Sequence, residues 1–335
     1  MVQLTGAGQC GDYSMQVFGL VQVLVVIKRK MKQMNKPPTF LLSLTFLFLF
    51  SGSVYADDLK DGIDAARKGD YKLAYKLWLP LAEQKNAIAQ FNLGAMYDQG
   101  KGVAKNVMKA FKLYKKSAEQ GYSKAQFNLG EMYREGVFVA QDFEKALKWY
   151  RLSAEQGLAE AQCNLGLMYE EGKGVNQNYE EAIKWYRLSA GQGYALAESN
   201  LGLMYEEGKE VNQNYEEAIN WYRLAAEQGL AGAQSKLGLM YENGKGVMQD
   251  YKEAMNFYRL AAEQGNLSGQ KYLGVMYAEG KGVSKDYIIA YTWWNICGSN
   301  GDRECLKNIN LLEKKMTPSQ IEKAQEMARN WKPKK

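Results

Sequence analysis

One dipeptide sets the terms for this chain. Leu-Gly recurs at Leu93-Gly94, Leu129-Gly130, Leu165-Gly166, Leu201-Gly202, Leu237-Gly238 and Leu273-Gly274, each 36 residues after the last. The same step links Tyr97, Tyr133, Tyr169, Tyr205, Tyr241 and Tyr277, and links Ala74 through Ala110, Ala146, Ala182, Ala218 and Ala254 to Ala290. A period between 20 and 50 residues is the mark of a solenoid or array. That overrides the two-domain division that 335 residues would otherwise suggest. One such unit cannot bury its own apolar face, so stability must come from stacked neighbours.

Each unit divides into two helices. The third reads AEAQCNLGLMYEEG, then KGVNQ, then NYEEAIKWYRLSAGQG. Ala161, Leu165, Met168 and Tyr169 fall at i, i+4, i+7 and i+8, one apolar helix face. Gly172 and its equivalents Gly100, Gly136, Gly208, Gly244 and Gly280 read as left-handed C-caps. The second helix opens on an Asp or Asn N-cap: Asp70, Asn106, Asp142, Asn178, Asn214, Asp250 and Asp286. Glu181, Glu217 and Glu253 stand where a capping box would place its reaching carboxylate. No proline falls between Pro80 and Pro318, which suits helix after helix. Gly166 lies in mid-helix at a cost of about 1 kcal/mol against alanine. Its return in every unit predicts that paired helices touch backbone to backbone there. The pairs Trp149-Tyr150, Trp185-Tyr186 and Trp221-Tyr222 are expected to fill the space between units.

The pattern A-x-A-Q-x-x-L-G-x-M-Y-x-x-G-x-G-V, followed by D/N-Y-x-x-A-x-x-W-Y-R-x-A-A-E-Q-G, closely resembles the Sel-one-like repeat (SLR) family, a relative of the tetratricopeptide repeat. The resemblance covers about residues 58–331. It implies an all-α fold: a right-handed α/α superhelical solenoid of 36-residue helix-turn-helix repeats, first helices lining a concave groove, with a family role as adaptor or scaffold. Lys85 departs from the pattern at the loop glycine, and Phe138 and Glu210 depart at the second glycine of G-x-G-V. Six full repeats with degenerate end caps fill residues 57–331, and residues 332–335 form a basic tail. Residues 58–69 read as a shortened first helix, and Thr317-Pro318 opens the last.

The chain has no histidine, which excludes Ser-His-Asp and Cys-His catalysis and the HExxH zinc site. The formal charge of +6 comes mostly from residues 1–56, which hold five basic side chains and one acid. Without them 38 basic residues face 36 acidic ones, a balance unlike that of a nucleic-acid binder. Residues 40–50, FLLSLTFLFLF, are too short to span a bilayer but suit a signal-peptide core, with Lys28 to Lys36 as its positive flank. Val54-Tyr55-Ala56 offers the small side chains of a cleavage site. Residues 31–56 are therefore expected to be a signal peptide cut after Ala56, leaving no stable membrane anchor. The mature chain would then be periplasmic or secreted. The 39 residues ahead of that core are too many for a charged leader, so residues 1–30 read as a gene-model extension, with synthesis starting at Met31 or Met34.

Two ladders are candidates for binding. By the tetratricopeptide analogy, Cys163 and its equivalents Phe91 and Phe127 look into the groove, and their variation marks a solvent-facing or ligand-facing column. Beside them run Asn92, Asn128, Asn164 and Asn200. Asparagine donates and accepts, so such a row can pair with an extended peptide backbone. Lys236 and Tyr272 break the row, which favours the N-terminal half as the peptide-binding end. The second ladder is acidic: Glu135, Glu170, Glu171, Glu206, Glu207, Glu242 and Glu279 lie in the last turns of first helices, where negative charge opposes the helix dipole. Loop lysines Lys173, Lys209, Lys245 and Lys281 either offset it or leave a stripe for a cationic partner. Arg151, Arg187, Arg223 and Arg259 form a third row, solvated or bridging adjacent units.

Cys297 and Cys305 straddle a helix hairpin, either as a disulfide in an oxidising compartment or as two small reduced core residues. A cysteine-rich branch of the SLR family staples its hairpins at this spacing, one residue out of this register. Ser268-Gly269-Gln270-Lys271 matches S-x-x-K, but no S-D-N or K-T-G accompanies it. The sequence thus predicts a non-enzymatic scaffold that needs no metal or cofactor and binds a protein or peptide, with a β-lactam or cell-wall hydrolase and a passive spacer as alternatives. Its oligomeric state stays open.

Overall fold

The computed structural model describes residues 57–334. The signal peptide over 31–56, the extension over 1–30 and the last residue of the tail lie outside the described residues. The chain divides into two compact units, one ending at Leu81 and one beginning at Ala82. In the first, helix α1 covers 57–67, and helix α2, Tyr71–Glu83, starts there and runs into the second. Trp78 donates its indole N–H to the Leu59 carbonyl at 3.3 Å. Its ring lies against Gly62, where a Cβ would overlap the indole. The Asp70 carboxylate caps α2, accepting from the Leu73 N–H at 3.0 Å.

The second unit alternates the two helix types foreseen in the repeat. Its first (A) helices are α3 (Ala87–Gln99), α5 (Ser123–Glu135), α7 (Ala159–Glu171), α9 (Ala195–Glu207), α11 (Ala231–Asn243) and α13 (Leu267–Glu279). Its second (B) helices are α4 (Val107–Glu119), α6 (Phe143–Glu155), α8 (Tyr179–Ala190), α10 (Tyr215–Glu227), α12 (Tyr251–Glu263) and α14 (Tyr287–Ser299). Helices α15 (Arg303–Glu313) and α16 (Pro318–Asn330) close the C-terminal end. Each A helix packs on its own B helix, and that B helix packs on the next A helix. No strand occurs among the described residues, so the fold is an all-α solenoid.

The caps follow the sequence closely. All six A-helix glycines adopt φ between 64° and 77°, as a left-handed C-cap requires. The Asn and Asp N-caps each accept a backbone N–H from the first turn, as Asn178 does from Glu181 at 2.9 Å. Glu181 and Glu217 do not complete a capping box. The Asn178 and Asn214 N–H groups already donate to the Tyr169 and Tyr205 carbonyls at 2.9 Å. The glutamates turn elsewhere, Glu181 to Lys184 at 3.2 Å and Glu217 to the Trp221 indole at 3.0 Å. Lys85, Phe138 and Glu210 keep positive φ values of 67°, 67° and 52°, so these loops hold the left-handed turn without glycine.

The mid-helix glycines also differ from expectation. A Cβ on Gly166 would meet Tyr186 ring carbons at 2.8 Å, with the Ala182 carbonyl at 3.1 Å. The glycine therefore seats an aromatic face, with the partner backbone a lesser neighbour. Gly94, Gly130, Gly202 and Gly238 seat Tyr114, Tyr150, Tyr222 and Tyr258 in the same way. These tyrosines are fully buried, whereas Trp149, Trp185 and Trp221 are half-buried against the core of the preceding repeat.

Candidate functional site

Hydrogen bonds within and between repeats consume most of the buried polar groups. Gln90, Gln126, Gln162, Gln234 and Gln270 each donate to the carbonyl eight residues earlier, at 3.0–3.3 Å. Four of them also accept an N–H from a glutamine thirty residues later, as Gln162 does from Gln192 at 2.7 Å. Ser117, Ser153 and Ser189 reach back thirty residues to an A-helix carbonyl. Sequence reasoning missed this glutamine column, although the Gln after A-x-A, replaced only by Glu198 among these repeats, carried the signal.

What the A helices leave open is a stripe at i, i+4, i+7 and i+11. On α7 it comprises Glu160, Asn164, Leu167 and Glu171, and on α9 Leu196, Asn200, Leu203 and Glu207. The asparagine row thus lies on the open side, each residue half-buried and tied to its neighbours. Asn164 donates to Glu131 at 2.7 Å, and Asn200 points its N–H at the Cys163 sulfur at 3.8 Å. Asn128 lies beside the Tyr114 phenol, and Asn92 is half-buried at the same place on α3. Lys236, which interrupts the row, reaches Glu206 at 3.0 Å. The apolar middle of the stripe, Leu167, Leu203 and Leu239, was not singled out in the sequence.

Phe91 and Phe127 are placed toward the joints. Phe91 packs on Tyr114 and Tyr122, with ring centroids 5.7 and 5.2 Å away, and Phe127 lies 5.8 Å from Tyr150. Cys163, in the same column, is 3% exposed, which corrects the reading of a solvent-facing position. Burial, with Glu170 nearby, pushes its thiol pKa up to about 12, so it is a packed, unreactive side chain.

The acidic ladder splits in two. Glu170, Glu206 and Glu242 accept the phenol protons of Tyr186, Tyr222 and Tyr258, each at 2.7 Å. Burial first, and these carboxylates second, hold the phenols well above the usual tyrosine range. Glu135, Glu171, Glu207 and Glu279 stay exposed and pair with Arg134, Lys173, Lys209 and Lys281 at 2.6–2.8 Å. Lys173, Lys209 and Lys281 therefore offset the charge, whereas Lys245 lies over the Tyr215 ring. Lys209 and Lys281 also reach the preceding repeat, at Glu170 (3.9 Å) and Glu242 (3.4 Å). Arg151, Arg187 and Arg223 bridge adjacent units, donating to the phenol oxygens of Tyr169, Tyr205 and Tyr241 at 2.6–2.9 Å.

Cys297 and Cys305 are joined as a disulfide between α14 and α15, with Cα atoms 6.0 Å apart. In the S-x-x-K segment Ser268 is exposed, while Lys271 donates to Glu304 at 2.8 Å and lies over the Tyr272 ring. Between α5 and α7 a cleft of about 300 Å³ is lined by Arg134, Gln141, Phe143, Asn164, Leu167, Met168, Glu171 and Lys173. No helix among the described residues is long and apolar enough to cross a membrane.

Stacked helix pairs with a closed core and an open A-helix face define an all-α repeat scaffold. The Sel1 repeat profile matches seven consecutive segments, residues 59–86, 87–122, 123–158, 159–194, 195–230, 231–266 and 267–302. The chain belongs to the Sel1 repeat family. It is similar to a protective antigen of uropathogenic Escherichia coli that displays an SLR fold, at 35% identity and a TM-score of 0.78. That match covers 83% of this chain and 60% of the antigen, so the chain spans about 60% of that relative's length. A Sel1 repeat protein from Oxalobacter formigenes is 36% identical with a TM-score of 0.69, over 72% of this chain and 96% of that one. Comparison with curated proteins returns no match. Sel1 repeat proteins generally serve as protein-interaction scaffolds, and the fold is typically non-catalytic.

Proposed function

We propose that this protein is exported, cleaved after Ala56, and acts in the periplasm or outside the cell as a scaffold that binds a protein or peptide segment along its A-helix face. One observation carries the reading. Hydrogen bonds within and between repeats consume the buried glutamines, serines and phenols, yet the open stripe keeps half-buried Asn164 and Asn200 beside Leu167 and Leu203. Half-buried amides beside aliphatic side chains suit a partner that brings both backbone groups and apolar side chains.

The test is a crosslinking capture from intact cells with the tagged chain. It is compared with a variant carrying Asn200→Ala and Leu203→Ser, both on the open stripe. A partner held by the wild type and lost in the variant, at equal helical content, supports the A-helix face. A partner held equally by both moves the site to the B helices. Finding the tagged chain only in the cytoplasm, at its unprocessed mass, would refute export.

A further inference from the structure

The cleft between α5 and α7 differs from its counterparts in the sign of one column. The residues two places before the C-capping glycines are Asp98, Arg134, Glu170, Glu206, Glu242 and Ala278, so Arg134 is the single cation in the row. At the next junction Lys209 reaches back to the carboxylate of that column, Glu170, and Lys281 does the same to Glu242. Lys173, their equivalent, meets a guanidinium there instead. Both cations line the cleft, while Phe143, Leu167 and Met168 supply apolar wall. Lys173 also sits over the Phe143 ring, 5.7 Å from its centroid.

The surrounding acids hold these cations without using them up. Arg134 donates from Nε and Nη2 to Glu131, from Nη2 to Glu135 at 2.8 Å, and from Nε to the Tyr150 oxygen at 3.1 Å. Its Nη1 makes no hydrogen bond among the described residues. Lys173 pairs with Glu171 at 2.8 Å, and its ammonium has further protons to offer. Asn164 spends its amide N–H on Glu131, and Gln141 spends one on the Arg134 carbonyl at 2.8 Å. A guanidinium and an ammonium therefore line one space whose wall is apolar at Phe143, Leu167 and Met168, with the Glu171 carboxylate held by Lys173.

We infer that this cleft binds a carboxylate carrying an apolar side chain, the carboxylate between Arg134 Nη1 and Lys173 Nζ and the side chain against Phe143, Leu167 and Met168. Charge-assisted hydrogen bonds from a guanidinium suit a planar carboxylate, and the volume suits one side chain plus its carboxylate, not a large ligand. A free amphipathic acid and the last residue of a protein chain present the same chemistry. The cleft shares Asn164, Leu167 and Glu171 with the open stripe, yet a free acid would occupy it even if no partner protein existed.

The experiment titrates the purified chain, with labelled methionine methyls and arginine side chains, with N-acetylleucine and with its amide. Saturable shifts at the Met168 methyl and Arg134 Nε are expected, the acid binding about tenfold tighter than the amide. Lys173→Gln should weaken the acid about tenfold, while Lys209→Gln, at the neighbouring junction, leaves it unchanged. Lys173 is exposed, and an otherwise native spectrum confirms that the substitution spares the fold. A hexapeptide ending in leucine then separates the sources. Tighter binding than the free acid assigns a chain end, and weaker binding assigns a small acid. Equal affinity for acid and amide, or undiminished binding in natively folded Lys173→Gln, would overturn the inference.

Discussion

Glu198 stands where every neighbouring repeat has a glutamine, at 3% exposure, and it changes what the joint can do. It still accepts from Gln228 at 2.8 Å, but an ionised carboxylate has no proton for the carbonyl that its column normally serves. Burial raises its pKa, Gln228 opposes that and Glu227 adds to it. The folded chain thus binds this proton more tightly than the unfolded chain does. Its contribution is fully present at acid pH and is lost as pH rises through the raised range. Glu198→Gln should stabilise the fold by about 1 kcal/mol at neutral pH. In urea melts run across pH, the gain should vanish below about pH 4, where the unfolded carboxyl is protonated. A second defect lies at the column's end. The Gln270 oxygen is buried without a partner, because Asn300, at the place of the long glutamines, donates only to the Ile296 carbonyl at 2.9 Å. Asn300→Gln adds the missing methylene and should raise stability by about 1 kcal/mol, read as a shift in the urea midpoint. Neither effect was legible in the sequence, because a polar side chain on a helix reads as surface until the partner thirty residues away is placed. Cys163 misled for the related reason that variation in a column measures tolerance of volume as readily as exposure.

Within an element, local chemistry was readable and partner identity was not. The glycine C-caps and Asp or Asn N-caps follow from φ preference and hydrogen-bonding reach, which adjacent residues determine. Which group would rest on Gly166 depends on how the B helix is rotated, and no spacing within the A helix encodes that. Gly166→Ala gives a sharp test. Helix propensity favours alanine by about 1 kcal/mol, while forcing a Cβ to 2.8 Å from the Tyr186 ring costs about 1–3 kcal/mol. Net destabilisation of up to about 2 kcal/mol is expected in chemical denaturation. Gly232→Ala, with open space around its Cβ, should stabilise instead. The acidic ladder divides along the same line. The exposed half and its loop lysines were legible as charges of opposite sign, but the phenol partners of Glu170, Glu206 and Glu242 lie sixteen residues on and appear only once the hairpin closes.

In the second unit, each helix pair answers mainly to its neighbours, so damage should stay local. The Cys297–Cys305 disulfide ties α14 to α15 near the C-terminal end. Trp331 lies edge-on to Trp293 there, and Lys334 donates its backbone N–H to the Glu263 carbonyl at 2.7 Å. Reducing the bond, or replacing both cysteines with serine, should cost about 2–3 kcal/mol on loop-entropy grounds. Hydrogen exchange should quicken in α14 to α16 and remain unchanged in α3 to α5. Equal quickening throughout would mean that the unit unfolds as one block. The overall architecture was plain from the 36-residue step, because periodicity is itself a statement about neighbours; the carboxylate cleft was not, since it arises from one reversed charge between two repeats. The glutamine joints carry one last consequence, for how such a chain changes length. Gln126 of one repeat donates to the Ala118 carbonyl of the one before, and Gln162 does the same to Ala154, so each repeat carries half of two like joints. A genetic duplication or deletion of a 36-residue block among the repeats that keep this glutamine, cut at any phase, regenerates the joint it severs. Copy number can therefore drift without a misfit seam, and the reach of the binding face becomes a quantity that recombination sets in whole steps.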